Sequence, residues 1–164
     1  MKEFINNWEN RPSEIRALLN PAFCGLLIYA AIVEYKRINK QDINITLLFL
    51  ILPLILNSNL KEIINTNKSK NLIYIVNNNK SNFQNFDYIF NYYVEYTYEA
   101  IYFLYFNEHI EIFENKFIIK GNKIRFNEIY FKKHTKVIAA LIRVFSKIKS
   151  ESTIYSTLGV THES

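Results

Sequence analysis

Few side chains in this sequence of 164 residues have the types and spacing that chemistry needs. His109, His134 and His162 are too far apart to read as a metal set, and no cysteine or second histidine stands near any of them at ligand spacing. Each reads as an ordinary surface or interface residue. Glu95 and Glu99, four apart, share one face of a helix, and paired carboxylates are raw material for general acid–base work. Exposed helix acids are far commoner. Cys24 lies in the apolar run of residues 22–33 with no basic neighbour to lower its pKa, so it is a small core residue before it is a nucleophile. The sequence contains no Gly-rich phosphate loop, no G-x-S-x-G elbow and no H-E-x-x-H. The expectation is a protein without catalytic residues, metal or cofactor, and not an enzyme.

Charge is more informative. The net charge of +5 hides a block of six acids and no Lys or Arg in residues 82–114, followed by ten bases and one acid in residues 116–149. One reading is that these are solvated faces of two halves that attract each other within the fold. The sharper one makes Lys116, Lys120, Lys123, Arg125, Lys132, Lys133, Lys136, Arg143 and Lys147 a face for DNA phosphates or for an acidic partner. Such contacts would orient the protein without reading sequence.

The elements that must carry these residues follow from periodicity. Length fits one domain over 1–164, with a helical half up to residue 80 and a second half from 81, and the 49% hydrophobic content suffices for a core. The apolar runs 22–33 and 45–56 are each 12 residues, short of the ~20 that span a bilayer, and read as buried helices. With one cysteine and a polar, acid-bearing N-terminus, the expectation is a cytoplasmic protein with no membrane association.

Ser13 is placed to cap a helix beginning at Glu14 or Ile15, and Asn20-Pro21 opens another that runs to Arg37. Pro53 should kink or restart the helix of residues 45–57. Residues 57–71 read as a surface connection around a short turn, and residues 72–76 as either strand or helix. Residues 83–106 hold 12 of the 26 aromatics at helical spacing, which predicts a long central helix whose tyrosines are core. Alternating arms on either side of Glu114-Asn115 predict a hairpin over 109–120. A further strand over 123–126, a helix over 131–149 and a short helix over 154–158, capped by Ser152-Thr153 and ended by Gly159, complete the chain. The fold class is mainly α with a small β-hairpin, with winged-helix-like features.

Three stretches carry a resemblance. Trp8 to Glu14 (WENRPSE), Leu18 to Leu27 (LLNPAFCGLL) with Glu34-Tyr35, and Leu50 to Leu56 (LILPLIL) resemble the pattern of the middle component of bacterial three-component ABC ATPase systems. Thr153 to Val160 (TIYSTLGV) looks like that family's ending. The resemblance implies a small non-enzymatic subunit encoded between an SMC/Rad50-like ATPase and an effector, often a nuclease, in anti-phage or anti-plasmid defence, with Lamassu-type systems as the best-known kind.

The same stretches supply candidate interface residues: Trp8, Arg11, Pro12, Glu14, Asn20 and Phe23. Trp and Arg dominate interface energetics, so an N-terminal arm presenting them would suit a partner protein. The alternative is that Trp8 folds back over the core and Asn20-Pro21 merely starts a helix. A stand-alone winged-helix DNA-binding regulator is the rival function.

Overall fold

The computed structural model describes residues 10–119, 124 and 128–160, the first three residues of the last long helix by backbone alone. Its elements are α1 (Ser13–Leu18), α2 (Pro21–Asn39), β1 (Ile43–Asn44), α3 (Ile45–Leu48), α4 (Ile51–Leu56), α5 (Ser58–Thr66), α6 (Leu72–Asn78), α7 (Lys80–Phe83), α8 (Phe86–Phe106), β2 (Ile110–Phe113), β3 (Lys116–Ile119), α9 (Glu128–Phe145) and α10 (Glu151–Leu158). The protein is mainly α with a small β part.

Asparagine, abundant in the composition, is what delimits the helices. Asn20, Asn44, Asn57 and Asn71 accept hydrogen bonds from backbone N–H groups in the first turns of α2, α3, α5 and α6. At the other ends, Asn39, Asn67, Asn79 and Asn107 donate their amides to carbonyls four residues back. One residue type therefore satisfies orphan groups at both termini.

α2 is apolar almost all round and sits in the middle. Cys24, Leu27, Ile28, Tyr29, Ala31 and Ile32 are buried, with α8 and α9 both packed against α2. Gly25 permits the close approach to α8: a Cβ there would stand 3.3 Å from Phe103 Cδ1 and 3.5 Å from the Ala100 carbonyl oxygen. α4 is buried from Ile51 to Ile55 and fills the space between α2, α8, α5 and α9. Leu72 and Ile75 of α6 face α10, which seats Ile154, Tyr155 and Leu158 in the core.

Pro53 restarts the 45–57 run as expected: the helix breaks at Phe49 and Leu50, where the Phe49 carbonyl has no amide at residue 53 to receive, and resumes at Ile51 with Pro53 in the first turn of α4. Several other boundaries differ from the sequence expectation. Residues 58–66 form a helix, because Asn57 caps them and Leu60 and Ile64 both reach the core. The stretch 72–76 is helical, since Asn71 caps it and burial falls at Leu72 and Ile75, a helical spacing.

Neither Ser13 nor Ser152-Thr153 caps a helix. Pro12 precedes α1, and α10 begins at Glu151 after Ser150. α9 ends at Phe145 rather than at residue 149. The hairpin is as read: Glu114 and Asn115 both take positive φ, 47° and 60°, as a two-residue primed turn requires. Its third partner is β1, which pairs antiparallel with β3 to give the order β1-β3-β2. The strand expected over 123–126 lies largely outside the described residues.

Apolarity around α2 extends beyond the 12-residue run. Residues 13–39 are long and apolar enough to cross a membrane, their most apolar window having mean hydropathy 1.7, and half of that window is buried inside the fold. A core helix passes the same test.

Candidate partner-docking face

Arg11 turns inward. Its Nη1 donates to Glu99 Oε2 at 2.8 Å and its Nη2 to Glu99 Oε1 at 2.6 Å, while Nη2 also reaches Glu95 Oε1 at 2.6 Å. The guanidinium stacks 4.8 Å from the centre of the Tyr96 ring. The Arg11 side chain is 11% exposed and that of Glu99 only 4%, whereas Glu95 is 60% exposed at the rim. The hydrogen bonds it donates to Glu99 push the guanidinium pKa further up. Glu95 and Glu99 thus share the Arg11 guanidinium.

The other residues of the family-like stretches also work inside the fold. Asn20 Oδ1 accepts from the Phe23 amide at 2.7 Å, and Pro21 takes the first position of α2. Phe23 packs edge-on to His134, at 5.8 Å between ring centres. Burial, helped by the charge of Glu99, pushes the Cys24 thiol up to about 12, so it is no nucleophile at neutral pH. Tyr155 donates to the Thr46 carbonyl at 2.6 Å, and Glu151 accepts from Thr46 Oγ1 at 2.9 Å, which ties α10 to α3. Pro12 and Glu14 remain exposed, and Trp8 lies outside the described residues.

α8 has two faces. Phe86, Tyr96, Ala100, Ile101 and Leu104 are buried, as the sequence reading of a core helix expects. The opposite face departs from that reading: Tyr88 is 77% exposed and Phe106 63%, with Tyr92, Tyr98, Tyr102 and Tyr105 exposed between them. On the hairpin, Ile112 and Phe113 are exposed as well, and Ile112 reaches Tyr98 of this row. Beside it, an apolar groove of about 480 Å³ is lined by Ile45, Phe49, Phe90, Tyr98, Ile112 and Tyr155, among others. Tyr98 stands edge-on to Phe49, 4.8 Å between centres.

α8 and the hairpin carry Asp87, Glu95, Glu108, Glu111 and Glu114, of which Glu95 is paired with Arg11, and Lys116 stands across the hairpin from Phe113. An exposed aromatic surface of this extent on a folded chain marks an interaction site. The sequence held a signal for it, since Tyr88, Tyr92, Glu95, Tyr98, Tyr102 and Phe106 recur at three- and four-residue steps.

The bases are distributed differently. Lys132, Lys133, Lys136 and Arg143 are exposed, and Lys132, Lys136 and Arg143 fall on one stripe of α9, away from its buried Val137, Leu141 and Val144. Lys116 is exposed on β3. Lys147 is engaged: its Nζ donates to the carbonyls of Lys68, Ser69 and Lys70, at 3.4, 2.5 and 3.1 Å, just past the end of α5. Lys120, Lys123, Arg125 and His162 lie outside the described residues. Among the described residues no group of three or more His, Cys, Asp or Glu is placed to hold a metal ion.

No curated protein and no solved structure matches this chain. Its sequence does match a family over nearly all its length, residues 8–162, and the chain is thereby a member of the ABC-three component (ABC-3C) system Middle Component 3 family.

Proposed function

We propose that this protein is a non-catalytic accessory subunit that bridges an SMC/Rad50-like ABC ATPase and an effector, such as a nuclease, and couples DNA sensing to effector control in a cytoplasmic anti-phage or anti-plasmid defence complex of the Lamassu kind. Membership in a multi-component system supports the presence of partner proteins. The observation that carries the reading is the outward face of α8, an aromatic row rimmed by carboxylates. It suits a partner surface bearing Arg or Lys, because aromatic faces and acids both attract such cations.

The stripe Lys132, Lys136 and Arg143, with Lys133 and Lys116, suits DNA or an acidic surface of the complex. α8 and α9 both pack against α2, and the two surfaces are on different helices, which suits two different partners. Pro12 and Glu14 are exposed beside the first, and we propose Trp8 of the same stretch as a further contact.

Co-expression with the ATPase and effector encoded alongside it, followed by size-exclusion chromatography, tests the assignment. Tyr105→Ser with Phe113→Ser should abolish co-elution while the melting temperature stays within a few degrees of the parent. Undiminished co-elution would sink the docking role of this face. The rival, a stand-alone winged-helix regulator, draws on the hairpin and the bases of α9. It requires a homodimer that binds one DNA sequence without partners, whereas the accessory subunit binds DNA weakly and loses it with salt.

A further inference from the structure

A second cleft, of about 360 Å³, opens on the other side of α8 from the groove and is independent of the docking role proposed above. Side chains from six elements and one connection reach it. Its apolar walls are Ile15, Leu19, Phe23, Ile55 and Leu56, and Tyr92 and Tyr93 of α8 add two aromatic edges. Two nitrogen bases complete the lining, Lys61 from α5 and His134 from α9, which are 73 positions apart in sequence and share no motif.

The electrostatics of this cleft are one-sided. Lys61 makes no ion pair among the described residues, and neither does Lys133. His134 has its Nδ1 buried with no hydrogen-bond partner among the described residues. Burial first, then the charges of Lys61 and Lys133, push the His134 pKa down, and no carboxylate acts in the opposite sense. In an apolar cleft, a cation without a counter-charge, Lys61, and an imidazole with an unmet Nδ1, His134, are both unfavourable, and a complementary ligand would relieve them. The volume lies within the ~300–1,000 Å³ typical of small-molecule sites.

We propose that this cleft binds a small organic anion, its carboxylate or phosphate held by Lys61 and His134 and its apolar body against Ile15, Leu19 and Phe23. Two sources share that chemistry, a medium-chain fatty acid and a nucleoside monophosphate. The walls accept either an alkyl chain or a base, the latter stacked against Phe23 or Tyr92.

Isothermal titration calorimetry on the full chain separates them. Octanoate and dAMP are the two anionic probes, octanol and deoxyadenosine their neutral counterparts, and inorganic phosphate reports charge alone. At least one anion should bind at one site per chain, about tenfold or more tighter than its neutral counterpart. Lys61→Gln and His134→Gln should each weaken that anion by about tenfold and leave the neutral counterpart unaffected. Circular dichroism confirms that both variants are folded, and they change different helices, so failure of one leaves the other.

Tighter octanoate identifies the fatty-acid source, and tighter dAMP the nucleotide source. Equal binding of anion and neutral counterpart, binding of inorganic phosphate as tight as that of either probe, no binding at millimolar concentration, or indifference to both substitutions would each overturn the proposal. Loss of partner co-elution in the Tyr105 and Phe113 variant, with anion binding intact, would leave this site standing on its own.

Discussion

Arg11 and Glu99 are 88 positions apart in the chain and meet through two parallel hydrogen bonds of 2.8 and 2.6 Å, with Glu99 almost wholly buried. The arginine of the R-P-x-E stretch is thereby the strap that holds the segment before α1 onto α8. Removing one member of such a pair leaves the other charge unpaired in a poor solvent.

Arg11→Ala should therefore destabilise the chain by about 2–4 kcal/mol, below the largest buried-pair values because Glu95 keeps the rim of the cluster wet. Arg11→Lys should recover only part of that, since an ammonium cannot make the two-pronged contact. Chemical denaturation of both variants, closed into a cycle with Glu99→Gln, measures the coupling. A loss below about 0.5 kcal/mol for Arg11→Ala would mean that this strap does not hold the fold.

Gly25 separates two opposing effects. Alanine in place of glycine inside a helix gains about 0.5–1 kcal/mol, but a Cβ here stands 3.3 Å from Phe103 Cδ1, which is half-buried and has room to give. Gly25→Ala should be near neutral in thermal melts. Gly25→Val adds branches that also press on the Ala100 carbonyl, and should cost more than about 1 kcal/mol. A valine variant as stable as the parent would show that α2 and α8 are not in close contact there.

Tyr155→Phe removes the hydroxyl that donates to the Thr46 carbonyl at 2.6 Å and should cost about 0.5–1.5 kcal/mol, the loss of one hydrogen bond at a carbonyl that keeps the Phe49 amide. The same substitution leaves the ring against Phe90, so α10 should remain docked and the far-ultraviolet circular dichroism unchanged. Cys24 provides the control for local opening. With its thiol pushed up to about 12, Ellman's reagent at pH 8 should react no faster than the chain unfolds, in parent and variant alike. Rapid labelling of the folded parent would place Cys24 nearer the surface than this packing allows.

His134 gives the chain a pH-dependent share of stability. Its pKa lies below the ordinary 6.5 in the folded state, because burial and then Lys61 and Lys133 disfavour the imidazolium. The unfolded chain binds the proton more readily, so this contribution is fully present above about pH 6.5 and is lost as pH falls through the lower folded value. The charged groups that act on it are Lys61 on α5 and Lys133 on its own helix, and Tyr92 and Tyr93 of α8 line the same cleft. Urea midpoints between pH 8 and 5 should fall less steeply for His134→Gln than for the parent, and parallel curves would contradict the assignment.

The sequence by itself determined the elements. Asn-Pro before an apolar run, alternation around Glu114-Asn115 and the aromatic periodicity of residues 86–106 each act over a few residues, so α2, the hairpin and α8 are legible without a partner in space. The short helices α5 and α6 were not, because their amphipathic signal is weak until Leu60, Ile64, Leu72 and Ile75 have a core to face. The charge split and the family-like stretches were also visible, but not what they touch.

Only the tertiary structure decided that Arg11 is spent on Glu99, that Lys147 binds the carbonyls of residues 68–70 beyond α5, that the tyrosines of α8 divide between core and surface, and that Lys61 and His134 face one cleft. The reason is physical. Local propensity and hydrophobic period fix what a segment becomes, whereas pairing of charges and exposure of a helix face depend on which segments, tens of residues apart, close over one another.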